Sequence, residues 1–314
     1  MKKFLVTGAN GFVGSFLCPR LKANKFKVRA VIRNSAHVPL AEEHVIIDDL
    51  NGSLGWSEAM VGIDVVIHLA ARVHIMKDNA QDPLTEFRQM NVVATERLAR
   101  SAALSGVKRF VYVSSIKVNG EETIGGQSFS ELNSPNPQDP YGVSKWEAEQ
   151  ALQLIAAETG LEVVIIRPPL VYGPGVKGNF AQLLRIVSMG IPLPLANINN
   201  LRDFIYVENL VDAVITCAVH PDAPGNTYLV SDGESISTPN LLRNMTQLHG
   251  LSSRLLPFPI WMLKLAAKCV GRSAQLERLI GSLQLDTTKI RQHLRWVPPH
   301  TLNEGLQNTV QNLK

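Results

Sequence analysis

The stretch Thr7-Gly8-Ala9-Asn10-Gly11-Phe12-Val13-Gly14 decides the fold of this chain. It follows the apolar run Phe4–Thr7 directly and opens a helix-length pattern. Glycines at this spacing serve a tight turn at Gly8, close approach of a pyrophosphate at Gly11, and helix–strand packing at Gly14. The residues expected to contact a dinucleotide here are Gly8, Asn10, Gly11, Phe12, Val13 and Gly14. A structural turn without a ligand is the alternative.

The rest of the first half alternates brief β-branched runs with longer helical patterns. The predicted strands are Phe4–Thr7, Val28–Ile32, Val45–Ile47, Val65–Leu69, Phe110–Val113 and Val163–Ile166. The predicted helices include Phe12–Leu21, Leu84–Ser105 and Tyr141–Thr159. Apolar strands separated by helices predict a parallel sheet covered on both faces, and right-handed crossovers make it a doubly wound, Rossmann-type α/β fold.

The alternation weakens after Arg167, where prolines crowd the chain. We therefore predict a dinucleotide-binding Rossmann domain over residues 1–167 and a smaller mixed α/β substrate-binding domain over 168–314. A return of about 202–220 to the first domain is expected, in which Asp203–Val207 would add to the sheet.

Composition narrows the function classes. The 314 residues are 45% hydrophobic and 18% charged, an ordinary globular balance that excludes disorder and collagen. The net charge of +4 comes from scattered basic residues, so small anionic ligands fit and nucleic acid is not expected as a partner. Cys18, Cys217 and Cys269 show no paired spacing, so we expect neither disulfides nor a metal site, and a cytoplasmic location.

No segment predicts firm membrane association. The apolar residues that follow Lys2 and Lys3 are too few for a signal peptide. The stretch Leu255–Val270 is interrupted by prolines and lysines, so it falls short of a membrane span. A partly buried helix is the favoured interpretation, and peripheral membrane contact through this segment remains the alternative.

Arg33 bears on the choice of cofactor. It stands about twenty residues past Gly14, at the end of the second strand, where an acidic residue would bind the ribose hydroxyls of NAD. A guanidinium there suits a ribose 2′-phosphate, so NADP(H) is favoured and NAD(H) stays open. Asp48, Asp49 and Leu50 are expected near the adenine. Ordinary surface roles for these residues are the alternative.

Tyr141 and Lys145 lie four residues apart on a predicted helix, so their side chains share one face. A phenol titrates near pH 10, too high for a base at neutrality. Lys145 and an oxidised nicotinamide, both cationic, would favour the phenolate and lower this pKa by about three units, roughly 4 kcal/mol. The pair predicts a general acid/base, although such spacing also arises by chance on surface helices.

Ser114 and Ser115 follow the strand Phe110–Val113 at the carboxyl edge of the predicted sheet, where ligands bind. A hydroxyl there could share the proton of a substrate with Tyr141. The alternative is that both serines only end the strand by bonding to backbone.

Together these elements resemble the extended short-chain dehydrogenase/reductase family, in its nucleotide-sugar branch. The resemblance extends along almost the whole chain. It also rests on the segments His68-Leu69-Ala70-Ala71, Asn91–Thr95, Arg167-Pro168, Val171–Pro174 and Arg202–Val207.

The resemblance implies roles for individual residues. Ser115, Tyr141 and Lys145 would be catalytic, with Lys145 also holding the cofactor ribose and the other two contacting substrate. Asn179 and Arg202 would hold the nucleotide diphosphate, for which an arginine fork is suited; a domain-bridging ion pair is the alternative for Arg202. Further cofactor contacts are implied for Leu69, Ala70, Ala71, Asn91, Ser114 and Pro168. A homodimer through the helices of 84–105 and 141–159 is expected by the same analogy.

Departures from the family pattern refine the expected activity. Ile116-Lys117 replace the Asp-Glu pair of nucleotide-sugar dehydratases, so dehydration is not expected. Asn119 replaces the tyrosine of a Val-Tyr-Gly segment, and Leu170 replaces an asparagine that touches the sugar in many members. The run Ser114–Gly120, with Gly281–Gln284, is similar to bacterial UDP-N-acetylquinovosamine dehydrogenases, which are 4-ketoreductases.

The sequence therefore predicts an NAD(P)-dependent enzyme acting at carbon 4 of a UDP-hexose or UDP-N-acetylhexosamine. The favoured activity is reduction of a UDP-4-keto-6-deoxy sugar in surface-polysaccharide biosynthesis. A UDP-glucose or UDP-N-acetylglucosamine 4-epimerase is the closest alternative. A non-catalytic NADP-binding regulatory protein and a reductase of steroid-like ketones also remain open.

Overall fold

The computed structural model describes residues 1–32, 40–47, 55–73 and 82–312. Within these residues the largest sheet has seven parallel strands: β1 (Lys3–Thr7), β2 (Lys27–Ile32), β3 (Glu43–Ile46), β4 (Val65–His68), β5 (Arg109–Val113), β6 (Glu162–Arg167) and β9 (Thr227–Leu229). Their order is β3-β2-β1-β4-β5-β6-β9. The chain reverses direction across the sheet between β1 and β4, and ligands of such folds bind at this switch point. The predicted doubly wound α/β fold is confirmed.

Helices cover both faces of the sheet. The bounds of those in the first half are α1 (Phe12–Ala23), α2 (Trp56–Ala59), α3 (Pro83–Arg88), α4 (Ala94–Leu104) and α5 (Pro140–Thr159), with a π-helical turn at Gln89–Val93 and a 3₁₀ turn at Ile116–Val118. Alternate residues of β1 enter opposite cores. Phe4 and Val6 pack in the cluster that includes Leu17 of α1, whereas Leu5 packs in the cluster that includes Leu98 of α4 and Leu152 of α5. Burial on both faces explains why these strands are continuously apolar.

Helix α5 has strong local signals at both ends. The Asp139 side chain caps it by accepting a hydrogen bond from the Gly142 amide at 2.7 Å, and Pro140 occupies its first turn. Gly160, with φ +75°, ends it in the left-handed conformation. The predicted helix Tyr141–Thr159 thus has almost the observed bounds.

A second layer lies beyond β6. Strands β7 (Leu170–Tyr172) and β8 (Phe204–Tyr206) form a separate parallel pair. A third core cluster joins them through Tyr172, Phe204 and Leu306. The helices of this half are α6 (Gly178–Ser188), α7 (Val207–Val219), α8 (Thr238–Leu248), α9 (Ile260–Cys269), α10 (Ser273–Ile280), α11 (Thr288–His293) and α12 (Leu302–Gln311).

The segment around Asp203–Val207 does not add a strand to the seven-stranded sheet. Its β8 pairs with β7 instead, because the chain leaves the sheet at Pro168 and Pro169 and offers β7 as a nearer partner. Helix α7 does pack against the main sheet, through residues such as Leu210 and Val214. The strand that extends the sheet at this edge is β9, which pairs with β6.

The stretch Leu255–Val270 contains a helix, as predicted, but this helix α9 has no buried residue. Ile260, Leu263 and Ala267 are half-buried and its other residues are exposed, which agrees with the interpretation as a partly buried helix. Among the described residues, no helix combines the length and apolar character that crossing a membrane requires.

Candidate active site

The glycine-rich loop lies where the carboxyl ends of β1 and β4 meet. Gly8 has φ +67°, and a Cβ there would lie 2.8 Å from the Ala70 amide nitrogen, so only glycine fits at this position. A Cβ at Gly14 would overlap the carbonyl oxygens of Gly8 and Ala9. Gly11 precedes α1 in an extended conformation, without a side-chain hydrogen bond capping the helix. The backbone here can therefore take an anionic group directly, as the sequence predicts.

Leu69, Ala70 and Ala71 follow β4 beside this loop and are half-buried. Asn91, in the π-helical turn, links the segment after β4 to α5. Its side-chain amide donates to the Arg72 carbonyl and to Ser144 Oγ, each at 3.0 Å, and its oxygen accepts from the Arg72 amide at 2.8 Å. The π turn is the local distortion that places Asn91 between them, a common arrangement at functional sites.

His68 belongs to the same region but is enclosed. Its Nδ1 lies 2.6 Å from Thr7 Oγ1 and its Nε2 2.9 Å from Thr95 Oγ1. Burial, with a contribution from Lys145, lowers the pKa of His68 to about 3, so the ring is neutral at physiological pH. We interpret it as a structural link between β1, β4 and α4.

The three predicted catalytic residues are close together at the carboxyl edge of the sheet. The side chain of Ser115, after β5, lies beside that of Tyr141 and lowers the pKa of the phenol. Lys145 Nζ lies 6.0 Å from the centre of the Tyr141 ring and donates to the Val113 carbonyl at 2.9 Å and the Tyr112 hydroxyl at 3.2 Å. The first turns of α5 thus present a phenol and an amine beside a strand-end hydroxyl.

Burial dominates the titration of this group. It raises the pKa of Tyr141 above its usual value, the Asp139 carboxylate adds to this rise, and the neighbouring Ser115 side chain opposes it. Burial lowers the pKa of Lys145 to about 7, against the attraction of Glu149. The predicted lowering of the Tyr141 pKa involves an oxidised nicotinamide as well as Lys145, and it stays a prediction.

A buried ion pair supports helix α5, and the sequence interpretation missed its acidic member. Glu149 is fully buried and accepts from Arg167 Nε at 3.0 Å and NH2 at 2.5 Å. It also accepts from the Ser114 hydroxyl at 2.5 Å, so that hydroxyl is directed into the protein. The signal that could have revealed Glu149 is the four-residue spacing from Tyr141 through Lys145 along one helix face.

The same pair anchors the segment after Ser115. Arg167 NH1 donates to the side-chain oxygen of Asn119 at 2.9 Å, and the Ile116 amide donates to the Pro168 carbonyl at 2.9 Å. Asn119, which departs from the family's tyrosine, is therefore a buried structural residue. The predicted contact of Pro168 with the cofactor stays a prediction.

Lys117 connects helix α5 to a charged cluster. Its ammonium pairs with Asp139, the cap of α5, and lies 2.8 Å from the Glu121 carboxylate. Arg278 of α10 lies 3.8 Å from the same carboxylate. In dehydratases an acid of the elimination pair stands at the position of Lys117. Here the lysine instead offsets the charge of Asp139, the carboxylate that raises the pKa of Tyr141.

Arg202 and Asn179 are the predicted diphosphate ligands. Arg202 is half-buried and donates to the Gly281 carbonyl at 2.9 Å. Burial lowers the pKa of Arg202, while Glu121 and Glu122 act in the opposite direction. Asn179 stands exposed in the first turn of α6, and no hydrogen bond between described residues joins it to Arg202. Their joint role as diphosphate ligands stays a prediction.

Four predicted cofactor residues lie outside the part of the chain that the structure describes. They are Arg33, Asp48, Asp49 and Leu50. Their roles, including the preference for a phosphorylated dinucleotide, stay predictions.

Comparison with known proteins identifies the family. Residues 4–231 match the model of the NAD dependent epimerase/dehydratase family. A UDP-glucose 4-epimerase of Vibrio cholerae is 42% identical over 314 residues, covering 99% of this chain and 95% of that protein. The solved structure of MoeE5 in complex with UDP-glucose and NAD has a TM-score of 0.78 at 29% identity, covering 98% of this chain and 97% of that one.

The UDP-glucose 4-epimerase structure from Thermotoga maritima, at 22% identity, has a TM-score of 0.79 over 99% of this chain and 98% of that one, which shows the shared fold. The resemblance to the extended short-chain dehydrogenase/reductases, in their nucleotide-sugar branch, is confirmed. The chain belongs to the NAD dependent epimerase/dehydratase family.

Proposed function

We propose that the protein moves a hydride between NAD and carbon 4 of a UDP-linked hexose. The observation that carries this proposal is the grouping of Ser115, Tyr141 and Lys145 at the carboxyl edge of the sheet, the edge that also carries the glycine-rich loop. A phenol and a hydroxyl there can handle the proton of a sugar alcohol while its carbon is oxidised or reduced.

The residues of the glycine-rich loop fit a dinucleotide. Cβ atoms at Gly8 and Gly14 would overlap backbone, and the amide end of α1 has no side-chain cap. The bound dinucleotide would supply hydride acceptance and donation. MoeE5 was solved with NAD, which supports NAD as the cofactor. The NADP(H) preference rests on Arg33 alone and is the weaker proposal.

Each catalytic residue has a defined task in this proposal. Tyr141 takes the proton from the carbon-4 hydroxyl during oxidation and returns it during reduction. Ser115, whose side chain lies beside Tyr141, hydrogen-bonds to the same substrate oxygen. Lys145, fixed by the Val113 carbonyl, favours the phenolate through its positive charge and binds the cofactor ribose. Burial around both groups strengthens these electrostatic effects.

We propose a UDP-sugar as the substrate class, held at its diphosphate by Arg202 and Asn179. The half-buried guanidinium of Arg202 supports this, since a phosphate would complete its hydrogen bonds. In this scheme residues 1–167, with about 202–220, bind the dinucleotide and 168–314 bind the sugar nucleotide. A thermal-shift comparison of UDP, dTDP and GDP tests the base: UDP should stabilise most, and a larger shift with another base would refute the UDP assignment.

The similarity to the Vibrio cholerae enzyme favours 4-epimerisation as the reaction. An epimerase uses Tyr141 twice. The 4-keto sugar rotates in the site between removal and return of the hydride, so that its opposite face receives the hydride. Reduction of a UDP-4-keto-6-deoxy sugar, with a role in surface-polysaccharide synthesis, is the second candidate. Leu170 favours it: this side chain, 41% exposed and two residues past Pro168, suits an apolar C6 methyl better than a hydroxyl.

The two candidates differ in their use of cofactor. An epimerase retains NAD through both half-reactions, whereas a reductase exchanges it every turnover. The purified protein should therefore be assayed for bound dinucleotide, for interconversion of UDP-glucose or UDP-N-acetylglucosamine with its carbon-4 epimer, and for NAD(P)H consumption with the 4-keto sugar. Epimer formation without net redox change supports the first candidate, and consumption without epimer formation supports the second. A homodimer and a cytoplasmic location remain predictions.

A further inference from the structure

Helix α9 carries an apolar face that the described part of the protein leaves exposed. Trp261 is 67% exposed, Leu265 58% and Met262 38%. Val270, just past the helix, is 68% exposed. Large apolar side chains usually occur singly on a surface, so four of them on one short segment indicate a contact surface.

The opposite face of α9 explains how the helix is held. Ile260, Leu263 and Ala267, spaced at three and four residues, are half-buried. Leu263 packs against the third core cluster, and Lys264 pairs with Glu277 of α10 at 3.2 Å. The inward residues suffice to dock the helix, and the outward face is left for another partner.

Charge indicates what this partner is. The segment 251–272 contains the basic residues Arg254, Lys264, Lys268 and Arg272 and no acidic residue. Lys268 follows Trp261 by seven residues and Leu265 by three, so it lies along the same helix face. A second copy of this chain, meeting the face symmetrically, would bring like charges together, which opposes that arrangement.

We propose that the α9 face, defined as Trp261, Met262, Leu265, Lys268 and Val270, binds the surface of an anionic lipid bilayer. The apolar side chains enter the headgroup region while the basic residues contact acidic lipid headgroups. Tryptophan suits this interface because its ring is apolar and its N–H polar. The attachment is peripheral.

The position of the face relative to the active site gives the attachment a use. Helix α10, on which α9 packs, contains Leu279 and is followed by Gly281. The Leu279 carbonyl accepts a hydrogen bond from Asn200, and the Gly281 carbonyl accepts one from Arg202. The proposed diphosphate ligand is therefore one helix away from the bilayer. Lipid binding itself does not depend on the proposed reaction, and its failure leaves that reaction standing.

Vesicle flotation of the full-length protein tests the proposal. Binding is expected to vesicles of phosphatidylcholine with about 30% phosphatidylglycerol, to weaken in about 0.5 M NaCl, and to be weaker on phosphatidylcholine alone. The double variant Trp261→Ser/Leu265→Ser should reduce binding by about tenfold or more, and Lys268→Gln/Arg272→Gln should make binding weaker and less dependent on salt.

Leu104→Ser/Leu132→Ser is the matched control, because these leucines are 89% and 96% exposed elsewhere on the surface. It should bind vesicles like the unmutated protein. Absence of binding to anionic vesicles, equal loss in the control variant, or a change of oligomeric state instead of lipid binding in the Trp261 variant would each overturn the proposal. Light scattering of the free proteins measures the oligomeric state.

Discussion

The carboxylate of Glu149 accepts two hydrogen bonds from the guanidinium of Arg167, at 3.0 and 2.5 Å, one helical turn beyond Lys145. Glu149 is fully buried and Arg167 only 4% exposed. The pair joins α5, which carries the proposed acid/base, to β6 and to the Ser114 hydroxyl. Its geometry fixes the catalytic helix relative to the sheet edge and keeps a negative charge near Lys145.

Removal of the Glu149 carboxylate should lower the stability of the fold. Glu149→Gln leaves the Arg167 charge buried without its counterion, so unfolding free energy should fall by about 3–5 kcal/mol in urea titrations. Glu158→Gln is the control, because Glu158 pairs with Arg100 at 2.7 Å on the surface and should matter little. Equal stability of the two variants would contradict the structural role of Glu149.

The glycine-rich loop offers a contrast between two alanine variants. Gly14→Ala should lower stability by about 1–3 kcal/mol, because its Cβ overlaps two backbone oxygens. Gly11 has φ −78° and its nearest neighbour to a Cβ is an oxygen at 3.1 Å, so Gly11→Ala should fold. We expect it to weaken NAD binding by about tenfold, or ~1.4 kcal/mol, through the displaced phosphate contact. Calorimetric titration with NAD measures this, and unchanged affinity would refute the pyrophosphate assignment.

Lys117 should set the pH dependence of the reaction. The Asp139 carboxylate raises the pKa of Tyr141, and Lys117 compensates that carboxylate. Lys117→Gln should therefore raise this pKa further. Because oxidation of the sugar needs the phenolate, the rise of kcat with pH should move upward by about half to one pH unit. Lys117→Arg keeps the charge and should keep the profile; a profile unmoved in Lys117→Gln shows that this lysine has no electrostatic role.

Cofactor choice tests the prediction made from Arg33. If its guanidinium pairs with a 2′-phosphate, the unmutated protein binds NADPH more tightly than NADH, and Arg33→Ala loses about 1–3 kcal/mol of that preference. Fluorescence titration with both reduced cofactors decides between them. Equal or tighter binding of NADH by the unmutated protein would retire the prediction and agree with the NAD-bound relative.

Local signals made much of this fold predictable. Helix α5 has a capping aspartate, a first-turn proline and a terminal glycine, and its predicted bounds match within one residue. The short strands β8 and β9 carry no such signals: each has three residues, and only tertiary packing decides which one joins the main sheet. The spacing of Glu149 from Lys145 places it on the same helix face, but its ion pair with Arg167 of β6 depends on tertiary packing and could not be predicted.

The candidate site was also predictable only in part. Ser115, Tyr141 and Lys145 were predictable because motif spacing and strand ends place them at one edge. The contact of Arg278 with the Lys117–Glu121 pair was not, because Arg278 comes from a distant part of the chain. Nothing in its sequence surroundings predicts this proximity.

The rate of the carbon-4 reaction in Tyr141→Phe tests the proposed function most directly. UDP-glucose and UDP-N-acetylglucosamine with NAD, and the UDP-4-keto-6-deoxy sugar with NAD(P)H, serve as substrates, and sugar products are resolved by chromatography. Tyr228→Phe is the control, because it removes a phenol hydroxyl that bonds His293 away from the site. We predict turnover by the unmutated protein and the control, and a fall of about a hundredfold or more in Tyr141→Phe with cofactor binding retained. Near-normal turnover in Tyr141→Phe, or no carbon-4 reaction in the unmutated protein with any of these substrates, would contradict the account.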